Sequence, residues 1–258
     1  MKKTYAIALL TLSLITACQS VPSPEASSPV SPASPAAVEP ASSPQATDAA
    51  VNNAAVNDNT RHFDQALYAL AYPEVNKEVK AGKFASPLAH YQAVGQSGKD
   101  ANGEDIAGFF MGTGGNDTIS GFGHHPHISG VAFEIVADKG GELPIRPKTL
   151  GQGEVDRLVG QPGSEDEFIL GSLITTANPK SAPFYVGKGD ADYAQIDNFK
   201  PGEDTILLAG KPEDYSLQPQ DKTLRISTKS GDLVAIVQGV DRLTVGDVVA
   251  DYGIFILK

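Results

Sequence analysis

The run Gly112-Thr113-Gly114-Gly115-Asn116-Asp117-Thr118-Ile119-Ser120-Gly121-Phe122-Gly123 constrains the fold of this chain more than any other stretch. It reads as two glycines, any residue, an aspartate, any residue and an aliphatic residue. The glycines allow a tight turn with carbonyls pointing inward. The aspartate adds an anionic oxygen, and the aliphatic residue two places on opens a short strand. Backbone carbonyls with carboxylates are the donor set that Ca²⁺ prefers.

A degraded second copy follows at Gln161-Pro162-Gly163-Ser164-Glu165-Asp166-Glu167-Phe168-Ile169-Leu170-Gly171, with one extra residue at Glu165-Asp166. Beyond it come Gly189-Asp190-Ala191-Asp192-Tyr193-Ala194-Gln195-Ile196-Asp197-Asn198-Phe199 and Gly202-Glu203-Asp204-Thr205-Ile206-Leu207-Leu208. This succession, from about residue 106 to 258, resembles the haemolysin or RTX type of calcium-binding repeat protein common in cyanobacteria. Its most specific part is the Asp-Tyr-Ala to Ile-Leu-Leu segment.

The resemblance implies a mainly β fold, in which a short parallel β-roll or solenoid is continued by a β-rich C-terminal region. It implies Ca²⁺ bound by Asp117 with carbonyls of Gly112, Gly114 and Gly115, and by Asp166 or Glu165 in the second copy. Asp190, Asp192 and Asp197 lie where the family continues a solenoid edge, although aspartates at such places also cap turns. So few repeats leave room for one or two sites. Strands are expected at Val131–Val136, Asp204–Leu208, Thr223–Ser227, Leu233–Val237 and Gly253–Leu257, with turns at Asp138-Lys139-Gly140-Gly141 and Ser230-Gly231-Asp232. The last strands are expected to cover the open end of the roll and extend its core.

The amino terminus has another purpose. Met1-Lys2-Lys3 is basic, and Thr4 to Ala17 is apolar but too short to span a bilayer. The segment ends in Leu14-Ile15-Thr16-Ala17-Cys18, which resembles a bacterial lipobox. That resemblance implies signal-peptide cleavage after residue 17, lipidation of Cys18 and a bacterial envelope location, with the outer membrane favoured. Cys18 is the only cysteine, which excludes an internal disulfide framework and a cysteine-rich zinc site. Residues 18–59 are Pro, Ser, Ala, Val and Asn, too poor in large apolar side chains to offset ordering entropy, so they read as a disordered tether.

Residues 60–100 change character. Phe63, Ala66, Leu67, Leu70 and Ala71 recur at helical spacing. A second helix opens at Pro73 and stops at Gly82, and a third is capped by Ser86-Pro87 and stops at Gly95. With Tyr72-Pro73-Glu74-Val75, Gly82-Lys83-Phe84 and His90-Tyr91, this stretch resembles a helical module found beside haemolysin-type repeats in secreted bacterial proteins. His90 is expected to pack and hydrogen-bond, and His62 to be solvated or a cap. Residues 101–258 form the repeat β domain.

Two further clusters carry polar side chains with ligating atoms. Asp100-Ala101-Asn102-Gly103-Glu104-Asp105 lacks the glycine and closing Glu of an EF-hand loop and reads as a polar linker. The three imidazoles of His124-His125-Pro126-His127 offer donors for Zn²⁺ or Ni²⁺, but adjacent residues of an extended chain face opposite ways and Pro126 prevents a helix that would gather them, so a loop with incidental histidines is favoured over a transition-metal site. The net charge of −11 argues against nucleic-acid binding. No nucleophile elbow, His-Glu-x-x-His or phosphate loop is present. The chain is therefore expected to be a non-enzymatic calcium-binding surface lipoprotein, membrane-held through Cys18. The alternative is a structural or adhesive envelope protein that meets polysaccharide or a surface protein.

Overall fold

The glycine turn at 112–117 hands the chain from one sheet to another. The computed structural model describes residues 59–136 and 144–258. The signal segment, Cys18, the tether up to residue 58 and the turn Asp138–Gly141 lie outside the described residues. Strand β1 (Ala107–Met111) precedes the glycine turn and β2 (Thr118–Ser120) follows it. β3 (His125–Ser129) returns to the first sheet beside β1. An antiparallel hairpin of β4 (Phe133–Ile135) and β5 (Ile145–Pro147) then interrupts the progression.

The alternation resumes with β6 (Val155–Val159) in the second sheet and β7 (Glu167–Ile169) in the first, then β8 (Tyr193–Asp197) and β9 (Thr205–Ala209). One circuit of the chain thus visits both sheets once. β1, β3, β7 and β9 run parallel, as do β2, β6 and β8. Ala107 pairs with His125, an offset of 18 residues. His127 pairs with Glu167, an offset of 40, because the β4–β5 hairpin intervenes. That inserted length obscures the second repeat in the sequence.

The remaining strands pair onto the last parallel strand of each sheet, covering its hydrogen-bonding edge and extending both sheets. β10 (Tyr215–Gln220), β11 (Thr223–Thr228) and β12 (Leu233–Gln238) form an antiparallel meander whose last strand joins β8 in parallel. β13 (Val245–Val249) and β14 (Ile254–Leu257) join β9 antiparallel. The first sheet has the order β1-β3-β7-β9-β14-β13 and the second β10-β11-β12-β8-β6-β2. The protein is mainly β, with sheets of mixed orientation behind a small helical module. Pro219 sits in β10, at a sheet edge where its missing N–H breaks no ladder.

The helical module seals the other end. α1 (Gln65–Ala71) is capped by Asp64, whose Oδ1 accepts the N–H groups of Ala66 and Leu67, an arrangement worth about 1 kcal/mol. α2 (Pro73–Lys80) has proline in its first turn, and α3 (Pro87–Ala93) is capped by Ser86 Oγ. Phe63 bridges to Phe110 of β1, and Asp64 N–H donates to Phe109 O at 2.7 Å. Phe63, Tyr68, Tyr91, Phe110 and Phe122 form one aromatic cluster, and Tyr91 Oη donates to Phe122 O. His90 is buried and bonded to Tyr68 Oη, as expected. His62 differs from expectation. It is buried, with Nδ1 3.0 Å from Met111 O, because its residue lies against the end of β1.

The two sheets differ in their outer faces. Between them lie Phe110, Ile119, Ile128, Leu158, Phe168, Ile196 and Ile206, all fully buried. The second sheet exposes its other face, so β6 and β8 alternate buried and less buried residues. The first sheet is buried on both faces except at its edge strand β13, where Val245 and Val248 are exposed. Phe109, Met111 and Ile169 on its far side meet Leu67 of α1, Phe133, Ile145 and Leu173. Its strands accordingly read as continuous apolar runs, as in β9 and β14.

Gly112 earns its place by close approach between circuits. A Cβ there would stand 1.8 Å from Gly130 O, and its N–H donates to Ser129 O. Gly115 instead adopts a φ of 82° in open space. Gly112→Ala is expected to lower unfolding free energy by about 3 kcal/mol, the upper end of overpacking costs. Gly115→Ala is expected to cost about 1–2 kcal/mol through left-handed strain alone. Urea unfolding of the two variants checks the order.

Candidate metal centres

Tight turns leave backbone N–H groups without a ladder partner, and aspartates supply the acceptors. Asp117 is half-exposed, and its Oδ2 takes the N–H of Thr113 at 2.7 Å within its own turn. Asp156, one circuit on, reaches back: its Oδ1 accepts from Asp117 N at 2.8 Å. Asp192 Oδ2 likewise accepts from Gly153 N, and Asp232 Oδ1 from Gly187 N and Gly189 N. The opposite edge repeats the device. Asp166 Oδ2 takes Gln161 N, and Asp204 takes both Asp166 N and Lys200 N.

Of the residues expected to meet calcium, Gly112, Gly114, Gly115 and Asp117 stay together in one turn. Gly114 and Gly115 are exposed with positive φ. In the second copy Asp166 is buried and Glu165 exposed, Glu165 N donating to His124 O. Asp190 is exposed and paired with Arg225, and Asp197 pairs with Arg157. Asp192 is wholly buried. Its Oδ1 has no hydrogen-bond partner among the described residues, and neither has the buried Oε2 of Glu154. Glu154 and Asp192 immediately precede the paired residues Val155 and Tyr193, and Tyr193 N donates to Glu154 O. They occupy neighbouring places on adjacent circuits.

Burial shapes the acids' ionisation. Desolvation pushes Asp166 up to about 7 against the Gln161 N–H that favours its charge. Desolvation also raises Asp156 and Asp204, despite the hydrogen bonds each accepts. Asp156 Oδ2 accepts from Tyr185 Oη at 2.7 Å, both groups being fully buried.

A second group lies on the doubly buried sheet. His125 and His127 are two apart on β3, so both side chains take the same face. Glu167 on β7 is the direct register partner of His127. The ligand atoms of His125, His127 and Glu167 all lie within 4.8 Å of one another. His127 is fully buried, and neither ring nitrogen has a partner among the described residues. Glu167 is buried with Oε1 also partnerless. Phe109 stands edge-on to His127 at 5.1 Å between centroids. Burial lowers both imidazoles to about 4, with His127 adding to the shift of His125, and burial raises Glu167.

The expected histidine loop is therefore a strand. Opposite orientation holds for adjacent residues, but Pro126 between the two histidines returns them to one side. Glu154, Asp156, Asp204, His125, His127 and Glu167 escaped selection as ligands or turn clamps in the sequence. The alternating His-Pro-His before Ile128 was the legible signal for the strand. Nothing local linked it to Glu167, 40 residues away. No family model matches the chain, and no curated protein matches it in sequence.

Tyr185→Phe removes one donor from buried Asp156. The expected loss is about 1.5–3 kcal/mol, the range for a hydrogen bond to a charged group. The folded-state pKa of Asp156 is raised above its unfolded value, so the folded state binds more protons and stability falls as pH rises through that window. Losing Tyr185 Oη raises the folded pKa further. The deficit of the variant should grow with rising pH, which denaturation at several pH values measures.

Proposed function

We propose that this chain is a non-catalytic envelope protein whose folded part is a short parallel β-roll stabilised by Ca²⁺. In this reading the roll is tethered to the membrane by lipid at Cys18. Support for the roll comes from strands that alternate between two sheets and from parallel pairing within each. The lipid anchor rests on the Ile15-Thr16-Ala17-Cys18 motif.

One observation carries the calcium reading. Asp192 Oδ1 and Glu154 Oε2 are buried carboxylate oxygens on adjacent circuits, and no donor among the described residues reaches either. An anionic oxygen without a donor is costly to bury. Two hard oxygens from separate circuits fit the chemistry of Ca²⁺ and would hold it with nearby carbonyls. A bound ion would supply the missing positive charge. Because the ligands come together only when circuits stack, binding would be coupled to folding. Asp117 accepts Thr113 N through Oδ2, which orders the first turn.

Calcium at about 100 times its Kd is expected to stabilise the full chain by about 2.7 kcal/mol. Thermal unfolding in millimolar Ca²⁺ against chelator measures this. Asp192→Asn keeps an acceptor for Gly153 N but drops the charge. It should remove the calcium increment without lowering the melting temperature in chelator. A wild-type protein that melts identically in Ca²⁺ and chelator would falsify the reading.

A further inference from the structure

Along β1, β3 and β7 the first sheet is covered on both faces, and its far face packs Phe109, Met111 and Ile169. His125, His127 and Glu167 interrupt that face with three ligating groups. The fold makes no use of their hydrogen-bonding capacity: both nitrogens of His127 and Oε1 of Glu167 are partnerless among the described residues. A buried polar group left without a partner is costly, so an apolar trio would stabilise the sheet better. With their ligand atoms within 4.8 Å of one another, the three groups can serve one common ligand.

We propose that His125, His127 and Glu167 bind a first-row divalent transition-metal ion, Zn²⁺ being the reference case. The donors are two imidazole nitrogens and one carboxylate oxygen, a set that suits such ions and not Ca²⁺, which prefers oxygen alone. Both imidazoles stay neutral at neutral pH, so binding displaces no proton from them. The ion joins β3 to β7 across their register pair His127–Glu167 and clamps adjacent circuits. His125 is only half-buried, which gives the ion a way in from solvent. Three protein donors leave a coordination position for water or another ligand. A ligating histidine is usually held by a hydrogen bond at its other nitrogen. His127 has none among the described residues, so affinity falls below that of a fully buttressed site.

The test uses the chelator-stripped full chain with Co²⁺ as a visible probe and Zn²⁺ as competitor. One equivalent of Co²⁺ is expected to give saturable visible bands, displaced by Zn²⁺. Glu167→Gln, nearly isosteric, should weaken binding by more than about tenfold, the loss that follows even removal of an outer partner. His127→Ala should abolish it. Neither Asp192→Asn nor excess Ca²⁺ should alter the bands, which separates this site from the turn edge. Imidazole nitrogen resonances of His125 and His127 in the wild type should move with Zn²⁺, a reading that needs no variant. The proposal is overturned if folded wild type binds neither ion saturably, or if those resonances stay fixed. It is equally overturned if binding survives in both variants, which assigns it to other donors such as exposed His124.

Discussion

The structure depends on backbone N–H groups at its turns finding acceptors. Parallel strands cannot be joined by two-residue hairpins, so every circuit carries loops whose peptide groups lie outside the ladders. Aspartate answers this within a turn, as where Asp117 takes Thr113 N, and between circuits, as where Asp156 takes Asp117 N. Because Asp192, Asp204 and Asp232 also reach back one circuit, the carboxylates fix register as well as turn shape. A slip of one residue would break these bonds and turn each strand's core face outward.

Register then decides which polar groups meet. In the second sheet a polar outer face is ordinary, since water reaches it. In the first sheet both faces are covered, by the second sheet on one side and by α1 with the β4–β5 hairpin on the other. The same histidine would be unremarked on β8 and is anomalous on β3. Burial changes its chemistry too, because desolvation holds His127 neutral to about pH 4 while raising Glu167 towards its protonated form.

Much of this was legible in the sequence. Pro73 and Ser86 marked two helix starts, and apolar and β-branched content marked the strands that form at Thr205–Ala209, Thr223–Thr228, Leu233–Gln238 and Ile254–Leu257. The glycine turn located the step between sheets. What stayed hidden was non-local. The first pairing is offset by 18 residues, whereas Thr118 pairs with Arg157 at 39, His127 with Glu167 at 40 and Val155 with Tyr193 at 38, so no short repeat leads from His127 to Glu167 or from Asp117 to Asp156. Turn aspartates also look alike whether they accept N–H groups or carry a spare oxygen. Only pairing across circuits shows that Asp192, which takes Gly153 N through Oδ2, keeps a buried Oδ1 without a partner among the described residues.

Two kinds of donor consequently occupy two kinds of place. Turn edges concentrate carboxylates because loops need acceptors for their N–H groups, and any spare oxygen there is hard and near water. Imidazoles two apart on a strand gather only on a sheet face, where alternation aligns them and a neighbouring strand can supply a third group. The proposed calcium and transition-metal sites thus follow from one architecture read at its rim and on its face. Each would link adjacent circuits, Glu154 to Asp192 at the rim and His127 to Glu167 on the face. Parallel pairs are slightly less stable per residue than antiparallel ones, and both linkages fall within the parallel part of the fold. β10, β11, β13 and β14, which pair antiparallel, carry neither.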